Sequence, residues 1–493
     1  MLTGSQIEQL RDKVIALLGD VGMKVENDDL VAALERQGAS QSPSGRMRIP
    51  TALIEQMVRS QQRTAEEDRR VQALHVRYGI DWTHYLLWTG RIDEASRWVG
   101  RSVRMSAFDC GPTKYHDYVT GKALPVDTAA FIQAMQFAQA TPEIGYISTW
   151  YRQDVPQPVE RIESLVVGLQ HTDKVDGIEA ILPAQIKYLK AIGEIIYEQP
   201  GVGCYLAGSQ CITSPLILEA RSATEMVERK RQGIPRYHIC SMPTIGVTSP
   251  LSLAGSIVMS AAEVLGGMAT AFAWDPEGDL TGRQITSVVD MRSANITYSA
   301  PEAIATNLAV KELFDACWGG HLWTEVYISP CAKVPGMQAV YENFYAASLY
   351  SRLTGEVDVP YPGMGTLDNG STGSLTQFML DLEIRKSQAH LRSEIEVTTD
   401  TLMFDELRNR IESGSGFFDS DYTLTHFRDL WSPRLFLADA IEPGRWDGSE
   451  RAILRRCEEQ WRENLKHYRP PEWPEYKLRA LERVAAEARK ELL

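Results

Sequence analysis

Long apolar runs are missing from this sequence. None of its 493 residues falls in an uninterrupted hydrophobic stretch of the ~20 needed to cross a bilayer. The N-terminus also lacks the basic-then-apolar order of a secretory leader, so a cytoplasmic location is expected. The seven cysteines are odd in number and irregular in spacing, which argues against a disulfide framework and for reduced thiols. A basic surplus is absent too. With 51 Lys and Arg against 65 Asp and Glu, the net charge is −14, which disfavours nucleic acid and favours a small cation as ligand. The Gly266-Gly267 pair has no G-x-G-x-x-G pattern around it, so no dinucleotide fingerprint is present. No low-complexity linker interrupts the chain.

What the sequence does have is alternation. Eight short apolar runs, most followed by a helix-periodic stretch, predict an α/β chain built as a TIM (β/α)8 barrel. The runs are Val103–Phe108, Ile144–Trp150, Gly177–Leu182, Val202–Ala207, Arg236–Met242, Met268–Trp274, His321–Ile328 and Glu356–Tyr361. Asp127–Ala140, Pro250–Leu265 and Pro301–Ala316 are among the helices expected between them. A barrel needs about 250 residues, so roughly half of the chain lies outside it. Three regions follow: an N-terminal helical region at 1–100, the catalytic barrel at 101–397 and a C-terminal helical extension at 398–493. In the extension, Ser449–His467 and Pro474–Leu493 have the pattern of exposed amphipathic helices parted by Pro470-Pro471.

Barrel chemistry sits where the strands end. Phe108, Trp150, Trp274, Tyr327 and Tyr361 fall at those predicted ends, as does Tyr151, and aromatic rings suit a cation that has no hydrogen bond to donate. The interval between the sixth and seventh runs is the longest, so Asp275–Asn295 is expected to be a functional insertion. It leads Arg292, Asn295 and Tyr298 towards the next helix, and these three are expected to orient a substrate. His238 and Cys240 share one strand face, two residues apart, a spacing that could serve zinc with a third ligand such as Cys331.

The stretches Ser241–Gly255, Ala262–Gly267 and Asp290–Glu302, followed by Lys333-Val-Pro, Gly365–Asp381 and Thr423–Arg428, together resemble the trimethylamine methyltransferase family. That resemblance implies a barrel enzyme, a corrinoid-dependent methyltransferase, that moves a methyl group from an amine to the Co(I) of a cobalamin-type corrinoid on a partner protein. It also implies a homo-oligomer. The chain has no Asp-x-His-x-x-Gly pattern of a corrinoid-binding module, so no tightly bound cofactor of its own is expected. A quaternary amine needs no general acid, because the departing tertiary amine is neutral; no catalytic side chain is singled out. The binding residues expected are Phe108, Trp150, Trp274, Arg292, Asn295, Tyr298, Tyr327 and Tyr361.

Departures from the family narrow the donor. Where the trimethylamine enzymes carry pyrrolysine, Tyr327–Lys333 holds standard residues only, as in the branch that acts on glycine betaine. After the eighth run, Tyr361-Pro-Gly-Met-Gly365 stands where many relatives have a histidine pair, and Asp421-Tyr422 stands where a histidine is common. The alternatives are a catalytically idle barrel that binds a betaine-like ligand and a zinc-dependent methyltransferase for thiols or alcohols. Lys114, Arg152, Lys333 and Asp368 are expected on a rim that receives the partner.

Overall fold

A computed structural model describes residues 1–61, 105–108, 111–175, 177–197, 205–318, 324–326, 329–354, 363–391, 395–436 and 449–493. It is a mixed α/β protein. Met105–Ala107 and Ile144–Ile147 pair in parallel, and Ile147 bridges Val175 in the same sense. Ile178–Glu179 then pairs with Leu206–Ala207. From Gln210–Ile212 the ladder runs through Arg236–Ser241 and Asp279–Gln284 to Thr324–Val326, parallel throughout. Every one of these pairings joins neighbours in chain order, and a helix lies between each two, as a parallel crossover requires.

Local signals account for the helix starts. Asp127 caps Thr128–Ala140 by accepting from Ala130 N at 2.8 Å, and Pro301 opens Pro301–Trp318. The strand expected over Met268–Trp274 is overturned, because those residues end the 22-residue helix Leu253–Trp274. A run buried on all sides has neither a helical nor a strand period to betray it. Here both faces of the helix are covered. A Cβ on Gly267 would come within 2.5 Å of Ile239 on the sheet, and one on Gly266 within 2.9 Å of Leu18 and Met23. By length and composition this helix could cross a membrane, yet 94% of its apolar window is buried inside the protein.

The sixth strand therefore lies inside the predicted insertion, as Asp279–Gln284. It is followed by an antiparallel hairpin of Ser287–Asp290 and Asn295–Thr297. The expected strand over Glu356–Tyr361 lies outside the described residues, as do Tyr327 and Tyr361.

The additions to either end serve as covers. Helices Gly4–Ala16, Asp28–Arg36 and Thr51–Ser60 pack on Leu253–Trp274 in one hydrophobic core. Ser449–Lys466 packs on Leu375–Leu391, and Glu475–Leu492 on Gln157–His171 and Ile186–Tyr197, in a second core. These two C-terminal helices are not free amphipathic rods. Cys457, Leu481 and Ala488 are fully buried, and Lys477 Nζ donates to Ile196 O at 2.7 Å.

Candidate functional site

Side-chain alternation decides what can face the interior of the parallel ladder. On Arg236–Ser241, Tyr237 reaches Asp275 at 2.8 Å, Ile239 meets Gly267 and Ser241 Oγ donates to Glu263 at 2.6 Å, all on the side of helix Leu253–Trp274. His238 and Cys240 therefore point the other way. Cys240 is in register with Cys211 on one neighbouring strand and Arg283 on the other. At the carboxyl end of this face Cys211, Cys240, Ile285 and Tyr298 pack together.

Glu179 stands on the same face one strand earlier, since its neighbour Ile178 is buried among the helices. Its carboxylate accepts from Tyr151 Oη at 3.4 Å and pairs with Arg221 Nη1 at 3.5 Å, and it is 30% exposed. Gly208 makes room for it: φ is +83° there, and a Cβ would lie 2.6 Å from Glu179 Cγ. Burial works against the charge on Arg221, but Glu179 and Glu225 outweigh it and hold the guanidinium above its ordinary pKa. Arg221 opens the helix that follows the fourth strand, so its position is set by a rigid element.

Tyr151 is held by a buried ionic network. The Arg161 guanidinium lies 3.5 Å from the centroid of the Tyr151 ring. Arg161 is 1% exposed, is paired with Glu160 and donates to Trp150 O at 3.0 Å. Glu160 also accepts from Ser164 Oγ at 2.6 Å and from Arg152 N at 2.8 Å. On the opposite flank the backbone at Gly111, with φ +60°, closes on Thr149 O and the Tyr151 ring so tightly that a Cβ would collide. The phenol, packed in this way, points towards Glu179.

The residues singled out from sequence scatter. Phe108 and Trp150 meet edge to face at 5.0 Å, but both lie in the hydrophobic core against Phe378, with 0% and 2% exposure. Trp274 ends a helix at the amino-terminal side of the sixth strand, where Lys230 Nζ lies 5.1 Å from its ring centroid. Arg292 sits at the turn of the hairpin, 91% exposed and paired with Asp290 at 3.1 Å. Asn295 is exposed nearby. Of the six that are described, Tyr298 alone packs with Cys240 on the face turned from the helices. Arg152 is buried, so it is not a rim residue, whereas Lys114 and Lys333 both converge on Asp368.

Glu179, Arg221 and Cys211 were not singled out from sequence. A signal existed, because Glu179 is the one charged residue in the apolar run Gly177–Leu182. The zinc set does not assemble. His238 Nδ1 lies 2.7 Å from Thr281 Oγ1, Cys331 bonds Glu342, and among the described residues no three potential ligands converge. Cys211, Cys240, Cys317, Cys331 and Cys457 are not in disulfides.

The sequence model of the trimethylamine methyltransferase (MTTB) family matches residues 97–492. The chain is 26% identical over 287 residues to trimethylamine methyltransferase MttB of Desulfitobacterium hafniense, covering 56% of this chain and 54% of that protein. It is 25% identical over 331 residues to a glycine betaine methyltransferase of the same species, covering 65% and 66%. With MttB2 of Methanosarcina mazei it shares 26% over 388 residues, 76% of this chain and 75% of that one. The chain thus spans 54% to 66% of the length of the first two relatives.

Proposed function

Because the chain belongs to the trimethylamine methyltransferase family, we propose that it takes a methyl group from a quaternary, betaine-like amine and passes it to a corrinoid carried by a second protein. The body is then a (β/α)8 barrel, in keeping with the parallel-paired segments that follow one another in chain order from Met105–Ala107 to Thr324–Val326 among the described residues. The observation that carries the donor class is Glu179, set between Tyr151 and Arg221 on the face turned from the helices.

A quaternary ammonium has no proton to donate, so it is held by charge and by ring faces. Glu179 supplies the counter-charge, and Tyr151 and Tyr298 supply rings, each worth about 0.5–2 kcal/mol when it faces the cation. A zwitterion adds a second fit. Its ammonium takes the place of Arg221 beside Glu179, while its carboxylate pairs with the Arg221 released, so that neither protein charge is left unpaired. Arg161 and Gly111 keep Tyr151 from swinging away, and positioning of this kind can supply roughly 7–11 kcal/mol of a bimolecular barrier. The partner's corrinoid supplies the Co(I) nucleophile that accepts the methyl group. The face around the strand ends suits a large partner, since Met242, Val247, Leu251 and Met291 expose their side chains there.

The test is methyl transfer to free cob(I)alamin across a donor series. Glycine betaine and longer betaines should be turned over, and trimethylamine should be at least tenfold slower. Glu179→Gln should lower kcat/KM for the working donor roughly 10- to 100-fold, the loss of one charge-assisted contact. Equal turnover of trimethylamine, or an unimpaired Glu179→Gln enzyme, would refute this donor class and this site respectively.

A further inference from the structure

Cys211 and Cys240 stand side by side on neighbouring parallel strands. Gln210–Ile212 pairs with Arg236–Ser241 in a register that makes the two cysteines direct Cα partners. Their neighbours fix which way they point. Gln210 Nε2 donates to Glu225 on the helix side at 2.8 Å, and Ile212 and Ile239 both pack against Gly267 of helix Leu253–Trp274. Alternation then turns both thiols to the opposite face, where they pack together with Ile285 and Tyr298. Neighbouring strands lie about 4.8 Å apart, within the ~4.4–6.8 Å that the Cα atoms of a disulfide span.

The two thiols are not alike. Cys240 is 1% exposed, whereas Cys211 is half-buried. Cys211 is also close enough to Arg221 for its charge to act on the guanidinium. Partial exposure beside a cation is the setting in which a cysteine reacts, and a second thiol at hand resolves the product. The other described cysteines are placed differently: Cys317 and Cys457 belong to helices, and Cys331 donates to Glu342 at 3.1 Å.

We infer that Cys211 and Cys240 are a modification site, a dithiol that a hydroperoxide closes to a disulfide and an added thiol reopens. With hydrogen peroxide, the Cys211 sulfur attacks one peroxide oxygen, the O–O bond breaks, and a sulfenic acid and water form. The Cys240 sulfur then attacks the sulfenic sulfur and expels its oxygen as a second water. Two electrons pass from sulfur to the peroxide, and both thiol protons end in water. The bond is a labile one. In-register side chains start about one strand spacing apart, against the ~3.8 Å between disulfide Cβ atoms, so closure pulls the strands together by roughly 1 Å. Strained disulfides are the readily reduced, regulatory ones. On the reading that Glu179 and Arg221 hold the donor, this movement disturbs the site, because Arg221 opens the helix that follows the strand of Cys211.

Mass spectrometry of the full-length protein after treatment with hydrogen peroxide tests this. The fragments that hold Cys211 and Cys240 should be recovered joined and two hydrogens lighter, and dithiothreitol should separate them. The link should be absent from the Cys211→Ser variant. Thiols that stay free, thiols that pass separately to sulfinic acid, or a link to Cys240 that survives Cys211→Ser overturn the inference. If that variant fails to fold, sequencing the joined fragments of the wild type decides, since Cys204 and Cys211 share a tryptic fragment. Calorimetric titration with glycine betaine reads the consequence. Affinity should fall at least tenfold on oxidation and return with dithiothreitol, while the same treatment should change the affinity of Cys240→Ala less than twofold. A linked protein that binds as tightly as the reduced one overturns the effect on the site. If the reduced protein binds no glycine betaine, the donor reading fails and the link alone decides the dithiol.

Discussion

Two arginine-bearing regions follow parallel-paired strands, Ile144–Ile147 and Asp279–Gln284, and differ in almost every other respect. Around residues 149–179 two arginines are buried: Arg161 paired with Glu160 beneath the Tyr151 ring, and Arg152 donating to Ser164 Oγ at 2.8 Å. Around residues 287–297 the charges stand in solvent, Arg292 with its own neighbour Asp290 at the turn of a hairpin. Asp290 is drawn down to about 2 by hydrogen bonds from Arg292, which marks a contented local pair. In the first region the polar groups are over-determined from several elements and aim an aromatic side chain at Glu179. The difference lies in what an arginine is attached to, not in the length of the loop that carries it.

The sharpest way to break the comparison is to remove a buried charge. Arg161→Met should cost about 3–5 kcal/mol of stability, because Glu160 is then buried without its cation. The measurement is the urea midpoint of the variant. A shift no larger than that of Arg292→Ala would mean that the network contributes no more than a surface pair.

Asp381 tests burial without a cation. It accepts from Gly365 N at 2.9 Å and from Gln377 Nε2 at 2.8 Å, yet burial outweighs these bonds and pushes its carboxyl up to about 7. Its ordinary value is near 4. Between those values the folded chain keeps a proton that the unfolded chain has lost, so the stabilisation is complete below about pH 4 and is lost as pH rises through about 7. The loss amounts to roughly 4 kcal/mol at most. Asp381→Asn should therefore flatten the fall in thermal midpoint between pH 5 and 7.5. A variant whose slope matches the wild type would show that another group sets it.

Much of the fold was legible in the sequence, and the reasons are local. Asp127 and Pro301 marked helix starts, and six of the eight expected strand runs overlap observed ones. The miss at Met268–Trp274 came from a helix covered on both sides. The site was harder to read because a strand in a parallel sheet is apolar on both faces, so alternation gives a phase but not which phase faces the helices. Trp150 and Tyr151 show this directly. They are adjacent in sequence; the first packs on Phe108 in the core and the second points to Glu179. Only the positions of the helices tell them apart.

A finer comparison sets Arg221 against other contacts of the donor. If a betaine carboxylate pairs with Arg221, Arg221→Gln should raise KM for glycine betaine about tenfold, the ~1.4 kcal/mol of a partly exposed charge-assisted contact. Tetramethylammonium has no carboxylate, so its use should not suffer, and it should improve if the competing cation beside Glu179 is gone. An equal loss with both donors would assign Arg221 to holding Glu179 rather than to binding the anionic end.

The smallest effect is expected at Arg292. Sequence spacing places this residue on a long loop near Asn295 and Tyr298, where it could have met a substrate carboxylate. In the structure its side chain is 91% exposed and its guanidinium donates to Asp290 at 3.1 and 3.2 Å. An exposed pair of this kind contributes about 0–1 kcal/mol and is screened by salt. Arg292→Ala should therefore leave kcat and KM for the working donor within about twofold and the urea midpoint almost unmoved. A tenfold loss of kcat/KM confined to carboxylate-bearing donors would reverse the comparison. It would require the hairpin to fold over the strand ends when substrate binds, with Arg292 exchanging Asp290 for the ligand.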